Sequence, residues 1–234
     1  MISSSSRCHP DFLWRALRRR LFAAGVFFIA LVSSANSTLD RVEATALSRY
    51  GDTVAERVRQ WRSALNTANE QSERDQLRDI NQFFNRNIQF SDDPVVWHSK
   101  DYWATPLETF SKGAGDCEDF VIAKYLSLRL LGIPDSKLRL IYVRARIGGP
   151  NSSLTQAHMV LGYYETPTAE PLVLDNLLGD IQPASRRTDL SPIFSFNSSG
   201  LWVQGASRPS ASSTERLSRW RDLVARLTEE GFEP

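Results

Sequence analysis

The sequence is poor in thiols and imidazoles, with two cysteines and three histidines among 234 residues. Cys8 and His9 lie in an N-terminal segment that we expect to be removed. The mature chain then keeps a single thiol, Cys117, which excludes an internal disulfide. Two glycines and three carboxylates surround this thiol in the sequence Gly113-Ala114-Gly115-Asp116-Cys117-Glu118-Asp119. A thiol with these neighbours is suited neither to packing in an apolar core nor to disulfide pairing. We therefore interpret Cys117 as a nucleophile.

Long hydrophobic runs are also scarce. The apolar run at residues 21–32 is about a dozen residues long, whereas a membrane-spanning helix needs roughly 20. Arg15 and the three arginines at 18–20 precede this run, and the small residues 33–35 follow it. This order predicts a secretory signal peptide at residues 1–35 that is cleaved after Ala35. The alternative interpretation is an uncleaved membrane anchor.

The mature chain carries no excess of positive charge. Residues 1–35 hold five arginines and Asp11, which leaves 23 basic and 26 acidic residues, a net charge of −3. A mildly acidic chain without a basic run argues against nucleic acid as the main partner. Residues 36–234 suffice for a single domain with a sizeable core.

The hydrophobic periodicity predicts an α+β fold. Period-3.6 patterns predict helices at residues 42–50, 52–65, 70–90, 116–131 and 215–227. Period-two patterns predict strands at 138–145, 156–164 and 171–176 and a hairpin from 193–196 with 201–203. A loop is predicted at 91–114 and a linker at 207–213. We therefore expect N-terminal helices and a central helix bearing Cys117, packed on an antiparallel sheet.

The position of Cys117 at a helix start suits a reactive thiol. The positive end of the helix dipole and the unpaired N–H groups of the first turn favour the thiolate. Gly113 and Gly115 allow backbone geometry that brings N–H groups close to a developing oxyanion.

His158 is the candidate base, since His98 is the one other histidine of the mature chain. His158 lies within a predicted strand, and the next predicted strand ends at Asp175. Adjacent antiparallel strands can set these two side chains beside each other. The order Cys117, His158, Asp175 then provides a nucleophile, a base and a group that orients the base.

Three carboxylates oppose this account, because Asp116, Glu118 and Asp119 raise the pKa of a neighbouring thiol. A calcium ion held by carboxylates beside Cys117 would offset their field. The alternative is that the acids complement the helix N-terminus, and spacing does not decide between the two. The sequence has no EF-hand loop.

Four segments carry a family resemblance: Asp101-Tyr102-Trp103-Ala104-Thr105-Pro106-Leu107-Glu108-Thr109-Phe110, residues 113–119, Ala157-His158-Met159-Val160-Leu161 and Val173-Leu174-Asp175-Asn176. Together they resemble the bacterial transglutaminase-like cysteine proteinases, and within them the LapG-type periplasmic proteases. The resemblance covers roughly residues 75–205 and includes all three triad positions.

The resemblance implies a papain-like topology and a calcium-dependent endopeptidase. It places calcium ligands at Asp116 and Glu118 and a catalytic triad at Cys117, His158 and Asp175. It also implies a periplasmic location, a large surface adhesin as substrate, cut near its N-terminus to release cells from a biofilm, and inhibition by an inner-membrane receptor that responds to cyclic di-GMP.

Two other functions remain open at this point. A transglutaminase or amidase would use the same triad, because its acyl-enzyme chemistry differs only in the second nucleophile. A receptor-binding module with a silent triad is the third possibility, and the intact Cys, His and Asp set argues against it.

Overall fold

The protein is described by a computed structural model over residues 35–203 and 218–233. Within these two ranges, the residues from Thr38 onward belong to one compact unit. The predicted signal peptide up to residue 34, the predicted linker and residues 215–217 of the last predicted helix lie outside the described ranges. Within those ranges, no helix has the length and apolar character needed to cross a membrane.

The first described range begins with three helices. Residues 35–50 form α1, Asp52–Asn69 form α2 and Glu73–Asn87 form α3. Gly51 separates the first two with a φ of 84°, a backbone conformation that favours glycine. α3 is shorter than the predicted helix at 70–90, because Ser72 caps its start and Ile88 is already extended.

The segment predicted as a loop at 91–114 contains regular structure, so that prediction was wrong in part. Two short helices, α4 at Asp93–Val96 and α5 at Pro106–Lys112, lie between the two-residue strands β1 (Gln89–Phe90) and β2 (Ala114–Gly115). β1 and β2 pair in parallel. A capping box between Thr105 and Glu108 starts α5, and Pro106 occupies the first helical position, where its missing N–H costs nothing.

The helix that carries the cysteine, α6 at Cys117–Leu130, is the centre of the core. Residues 119–128 are all buried, as the absence of a polar face in the sequence predicts. Its buried hydroxyl at Ser127 accepts a 2.9 Å hydrogen bond from the indole N–H of Trp61 in α2. The helix therefore has a fixed position between the N-terminal helices and the sheet.

The main sheet has six antiparallel strands. They are β3 (Leu138–Arg146), β4 (Thr155–Tyr163), β5 (Leu172–Leu174), β6 (Gln182–Pro183), β7 (Leu190–Asn197) and β8 (Gly200–Val203). Their order is β6-β5-β4-β3-β7-β8. The sequence analysis did not predict β6, which is too short to show a period.

The two faces of this sheet differ. One face packs against α6 and includes Leu140, Met159 and Leu161 in the large core. The other face carries a small cluster of Ile141, Val143, Val160 and Val173. The last helix, α7 at Ser218–Glu229, adds buried side chains to the large core, among them Trp220 and Leu223. The observed arrangement confirms the predicted α+β class and the antiparallel sheet.

Candidate active site

Cys117 is the first residue of α6, directly after the N-cap Asp116. The Asp116 carboxylate accepts a hydrogen bond from the backbone N–H of Glu118 at 3.2 Å. In return, the carboxylate of Asp119 accepts one from the backbone N–H of Asp116, also at 3.2 Å. This reciprocal capping fixes the start of the helix, and with it the thiol, at the positive end of the helix dipole.

The two glycines before Cys117 have structural roles. Gly113 ends α5 with a φ of 66°, and its N–H donates to the Thr109 carbonyl at 2.8 Å. That N–H is therefore already paired within the turn that ends α5. A Cβ on Gly115 would lie 2.5 Å from Oδ2 of Asp119, so only glycine permits the close approach that capping requires.

The thiol meets the sheet at Met159 of β4. β5 pairs with β4 along Leu161–Tyr163, so among the described residues the earlier half of β4 has no β-strand partner on that side. A backbone hydrogen bond from Met159, the residue after His158, reaches Cys117 and favours its thiolate. α6 and β4 thus bring the cysteine and the histidine segment together.

His158 and Asp175 form a buried pair. Nε2 of His158 lies 2.8 Å from Oδ1 of Asp175, and the two residues are 2% and 0% exposed. The register places Leu174 opposite Leu161, so Asp175 follows the end of β5 and, by extension of that register, lies beside Val160. The pair is therefore diagonal across two strands rather than directly opposed.

Asp175 is surrounded by donors. Its Oδ1 also accepts the backbone N–H of Leu177 at 3.0 Å, and its Oδ2 accepts Nη2 of Arg187 at 2.7 Å. Burial acts to raise the pKa of Asp175, but the hydrogen bond and charge of His158 and the bonds from Leu177 and Arg187 outweigh it. The result is a pKa of about 2, so the carboxylate is ionised throughout the neutral range.

The thiol has the opposite environment. Sγ of Cys117 donates to Oε2 of Glu118 at 2.7 Å. Burial, followed by the charges of Glu118 and Asp116, raises the pKa of Cys117 far above its usual range. Without a compensating cation, the nucleophile is therefore held as a neutral thiol, as the sequence analysis anticipated from the three flanking acids.

A cluster of carboxylates lies next to this thiol. Oxygen atoms of Asp93, Asp116 and Asp119 are within 4.8 Å of one another, and a second group joins Asp116, Cys117 and Glu118. Asp93 belongs to α4 and is 4% exposed. Burial is the largest cause that raises each pKa, to about 6 for Asp93, about 10 for Asp116 and about 8 for Asp119, with neighbouring carboxylates adding to it.

The cluster fits a hard divalent cation. Its donors are carboxylate oxygens from two segments of the chain, the ligand type that calcium prefers. Oδ1 of Asp93 is buried and has no hydrogen-bond partner among the described residues. Ionised carboxylates this close together, with no cationic partner among the described residues, would destabilise the fold. They are therefore expected to be protonated or to bind a metal ion.

The sequence analysis missed three residues of this region. Asp93 comes from a segment predicted as a loop, and no local pattern marks it. Arg187 belongs to the stretch between β6 and β7, which had no predicted role. Lys124 is fully buried in α6 with no hydrogen-bond partner for Nζ among the described residues; burial lowers its pKa to about 7, against an opposing effect of Asp175. A lysine in an otherwise apolar helix stretch was the one readable signal.

Comparisons with known proteins identify the family of this chain. The family model described as bacterial transglutaminase-like cysteine proteinase matches residues 48–204. Among solved structures, Legionella pneumophila LapG is 36% identical with a TM-score of 0.69 over 81% of this chain and 97% of that one. The calcium-bound form of LapG is 39% identical with a TM-score of 0.68, over 81% and 98%. The EGTA-treated form is 37% identical with a TM-score of 0.70, over 81% and 97%. No curated protein matches the chain. On this evidence the chain is a member of the bacterial transglutaminase-like cysteine proteinase family.

Proposed function

We propose that this cysteine proteinase is a calcium-dependent endopeptidase with Cys117 as nucleophile, His158 as general base and Asp175 as the residue that orients the base. The observation that carries the proposal is the buried 2.8 Å pair of His158 and Asp175, in which His158 lies on the strand whose next residue, Met159, contacts the thiol that opens α6. The family match favours peptide hydrolysis over amide transfer or a silent binding module.

In this proposal the two ring nitrogens of His158 have different tasks. Asp175 engages Nε2 of His158. Nδ1 would then take the proton from Sγ of Cys117. The thiolate attacks the scissile carbonyl, and the imidazolium returns the proton to the leaving amine. Water, deprotonated by the same histidine, then attacks the thioester. The imidazolium gives its proton to the departing Sγ, which releases the second product and restores the thiol of Cys117. Ionised Asp175 stabilises the imidazolium throughout.

Calcium would be held by Asp93, Asp116 and Asp119, with Glu118 as the additional ligand expected from the family resemblance. When bound, the cation supplies positive charge that offsets the carboxylates around Cys117 and so favours the thiolate. LapG structures in calcium-bound and EGTA-treated forms support a calcium site in this family.

The proposed substrate is a large surface adhesin that is cut near its N-terminus in the periplasm, with release of cells from a biofilm. The proposed inhibitor is an inner-membrane receptor that responds to cyclic di-GMP. Both follow from the likeness to LapG-type proteases, and the signal peptide predicted at residues 1–35 is consistent with that location.

The test is cleavage of an N-terminal adhesin fragment from the same organism by residues 36–234 in calcium. We expect one cut, lost in Cys117→Ala without a change in circular dichroism or melting temperature. Iodoacetamide should label wild type at Cys117, more slowly in His158→Ala. Cleavage by Cys117→Ala above about one part in a thousand of the wild-type rate would contradict the assignment. Incorporation of an added amine in place of hydrolysis would instead indicate a transglutaminase.

A further inference from the structure

Arg187 is a buried cation with two carboxylate partners. It follows a short 3-10 helix at Ala184–Arg186 and is 4% exposed. Its Nη2 lies 2.7 Å from Oδ2 of Asp175 and 2.7 Å from Oδ2 of Asp189, and its Nε lies 3.0 Å from Oδ1 of Asp189. A planar guanidinium can hold two carboxylates at once in this way, and an ammonium cannot reproduce the geometry.

The bond to Arg187 completes the surroundings of Asp175. His158 and the Leu177 N–H occupy Oδ1, so Arg187 is the side chain that engages Oδ2. A carboxylate fixed through both oxygens has little freedom to rotate away from the imidazole. A buried carboxylate that loses one such partner is also harder to keep ionised. Arg187 therefore affects both the direction and the charge of Asp175.

The guanidinium is reached from the sheet face that is opposite α6. Arg187 lines an apolar cavity of about 300 Å³ together with Val143, Val160, Val173 and Leu190. Nη1 of Arg187 is buried without a hydrogen-bond partner among the described residues. A cavity of this volume beside the side chain has room for a small planar cation if the side chain is shortened.

We propose that Arg187 is a positioning residue of the active site, which acts through Asp175 to hold His158 ready to deprotonate Cys117. This inference rests on the proposed triad. Its test measures the reactivity of Cys117 and needs no protein substrate. Asp189 anchors the far side of the same guanidinium and is itself partly exposed.

The test is chemical rescue in Arg187→Ala. In saturating calcium, we expect Cys117 to react with iodoacetamide roughly tenfold to hundredfold more slowly than in wild type. This loss is smaller than the roughly 10⁴-fold loss known when the orienting carboxylate itself becomes an amide. Guanidinium chloride at millimolar concentration should restore at least part of the rate, and sodium chloride at the same concentration should not. A purely structural role for Arg187 would not give selective rescue by guanidinium.

The neighbouring Arg186 provides the matched control, because it is exposed and lies one residue away. Arg186→Ala should alkylate at the wild-type rate with or without guanidinium. If Arg187→Ala does not fold, Arg187→Lys and Arg187→Gln replace it in the test, because their longer side chains fill most of the space that the arginine occupies. The lysine variant should be faster than the glutamine variant, since it keeps the charge, and guanidinium should accelerate neither.

The outcomes separate this inference from the proposed function. If Cys117 is alkylated at the wild-type rate in folded Arg187→Ala or in Arg187→Gln, the positioning role is overturned, whatever the substrate proves to be. Slow alkylation that guanidinium does not restore in folded Arg187→Ala would also overturn it. Absence of adhesin cleavage by wild type, with rescue of alkylation intact, would overturn the proposed substrate and leave the role of Arg187 standing.

Discussion

The carboxylates of the candidate active site fall into two groups, Asp175 alone and the cluster of Asp93, Asp116 and Asp119, which differ in how their charge is balanced. Asp175 has His158 and Arg187 as hydrogen-bonded partners, and its pKa falls to about 2. Asp93, Asp116 and Asp119 have mainly backbone N–H groups and one another, and their pKa values rise to between about 6 and about 10. The first group is complete within the chain, whereas the second requires protons or a cation from outside.

The largest expected effect comes from removing the charge of Asp175, whose partners all belong to the chain. Asp175→Asn should reduce turnover by about 10² to 10⁴, because an amide favours the wrong histidine tautomer and does not stabilise the imidazolium. Steady-state cleavage and iodoacetamide labelling both measure the loss. Asp189→Asn is the control, since Asp189 contacts Arg187 but not His158, and it should cost less than tenfold. A loss below tenfold in Asp175→Asn would assign the orienting role to another group.

The calcium affinity of the cluster of Asp93, Asp116 and Asp119 should fall when a single carboxylate is lost. Asp93→Asn should weaken calcium binding by at least about tenfold, because it removes the charge of a proposed ligand, and loss of a residue that merely supports a ligand already costs about tenfold to a hundredfold. Asp92→Asn is a matched control, because Asp92 is adjacent and exposed. Isothermal titration calorimetry with calcium measures both variants. Equal affinities in the two variants would exclude Asp93 from the site.

The two groups should also give opposite pH dependences of stability. The carboxylates of Asp93, Asp116 and Asp119 have raised pKa values, so the metal-free native state binds more protons than the unfolded state. Its free energy of unfolding should therefore fall as pH rises from about 4 towards 8, by up to about 1.4 kcal/mol per pH unit for each proton.

Saturating calcium should flatten this slope, because the bound state keeps the carboxylates ionised. Asp175, with its lowered pKa, should contribute stability above pH 4 that is lost as pH falls towards 2. Urea denaturation of dialysed protein at several pH values measures the slope. A metal-free stability that rises between pH 4 and 7 would contradict the assigned pKa directions.

The smallest expected effect concerns Lys124, which lies over the Phe120 ring at 5.5 Å. Its lowered pKa of about 7 means that the unfolded state binds the extra proton, so its contribution to stability improves as pH rises from 7 to about 10. Lys124→Met should stabilise the protein at pH 7 by about 1 kcal/mol, at the lower end for replacement of a buried charge. Thermal melts at pH 7 and 9 check this, with a smaller gain expected at pH 9.

The sequence predicts what local patterns determine. The period of the helices and strands, the position of Cys117 at a helix start and the adjacency of the strands that carry His158 and Asp175 all follow from residue spacing. α5 was also readable, since Thr105-Pro106-Leu107-Glu108 is a capping box with proline at the first helical position. Asp93 and Arg187 were not, because only the packing of distant segments brings them to Cys117 and Asp175.

The most direct test of the central claim is calcium titration of the metal-free protein, followed by its melting temperature and by alkylation of Cys117. Binding to the native state alone stabilises by about 2.7 kcal/mol at a hundredfold excess over Kd. For a domain of this size, that gain corresponds to a rise of about 5 to 10 °C. We predict this rise together with faster alkylation of Cys117, both reversed by EGTA and both weakened in Asp93→Asn. An unchanged melting temperature and an alkylation rate independent of calcium would show that the buried carboxylates are complete without a cation.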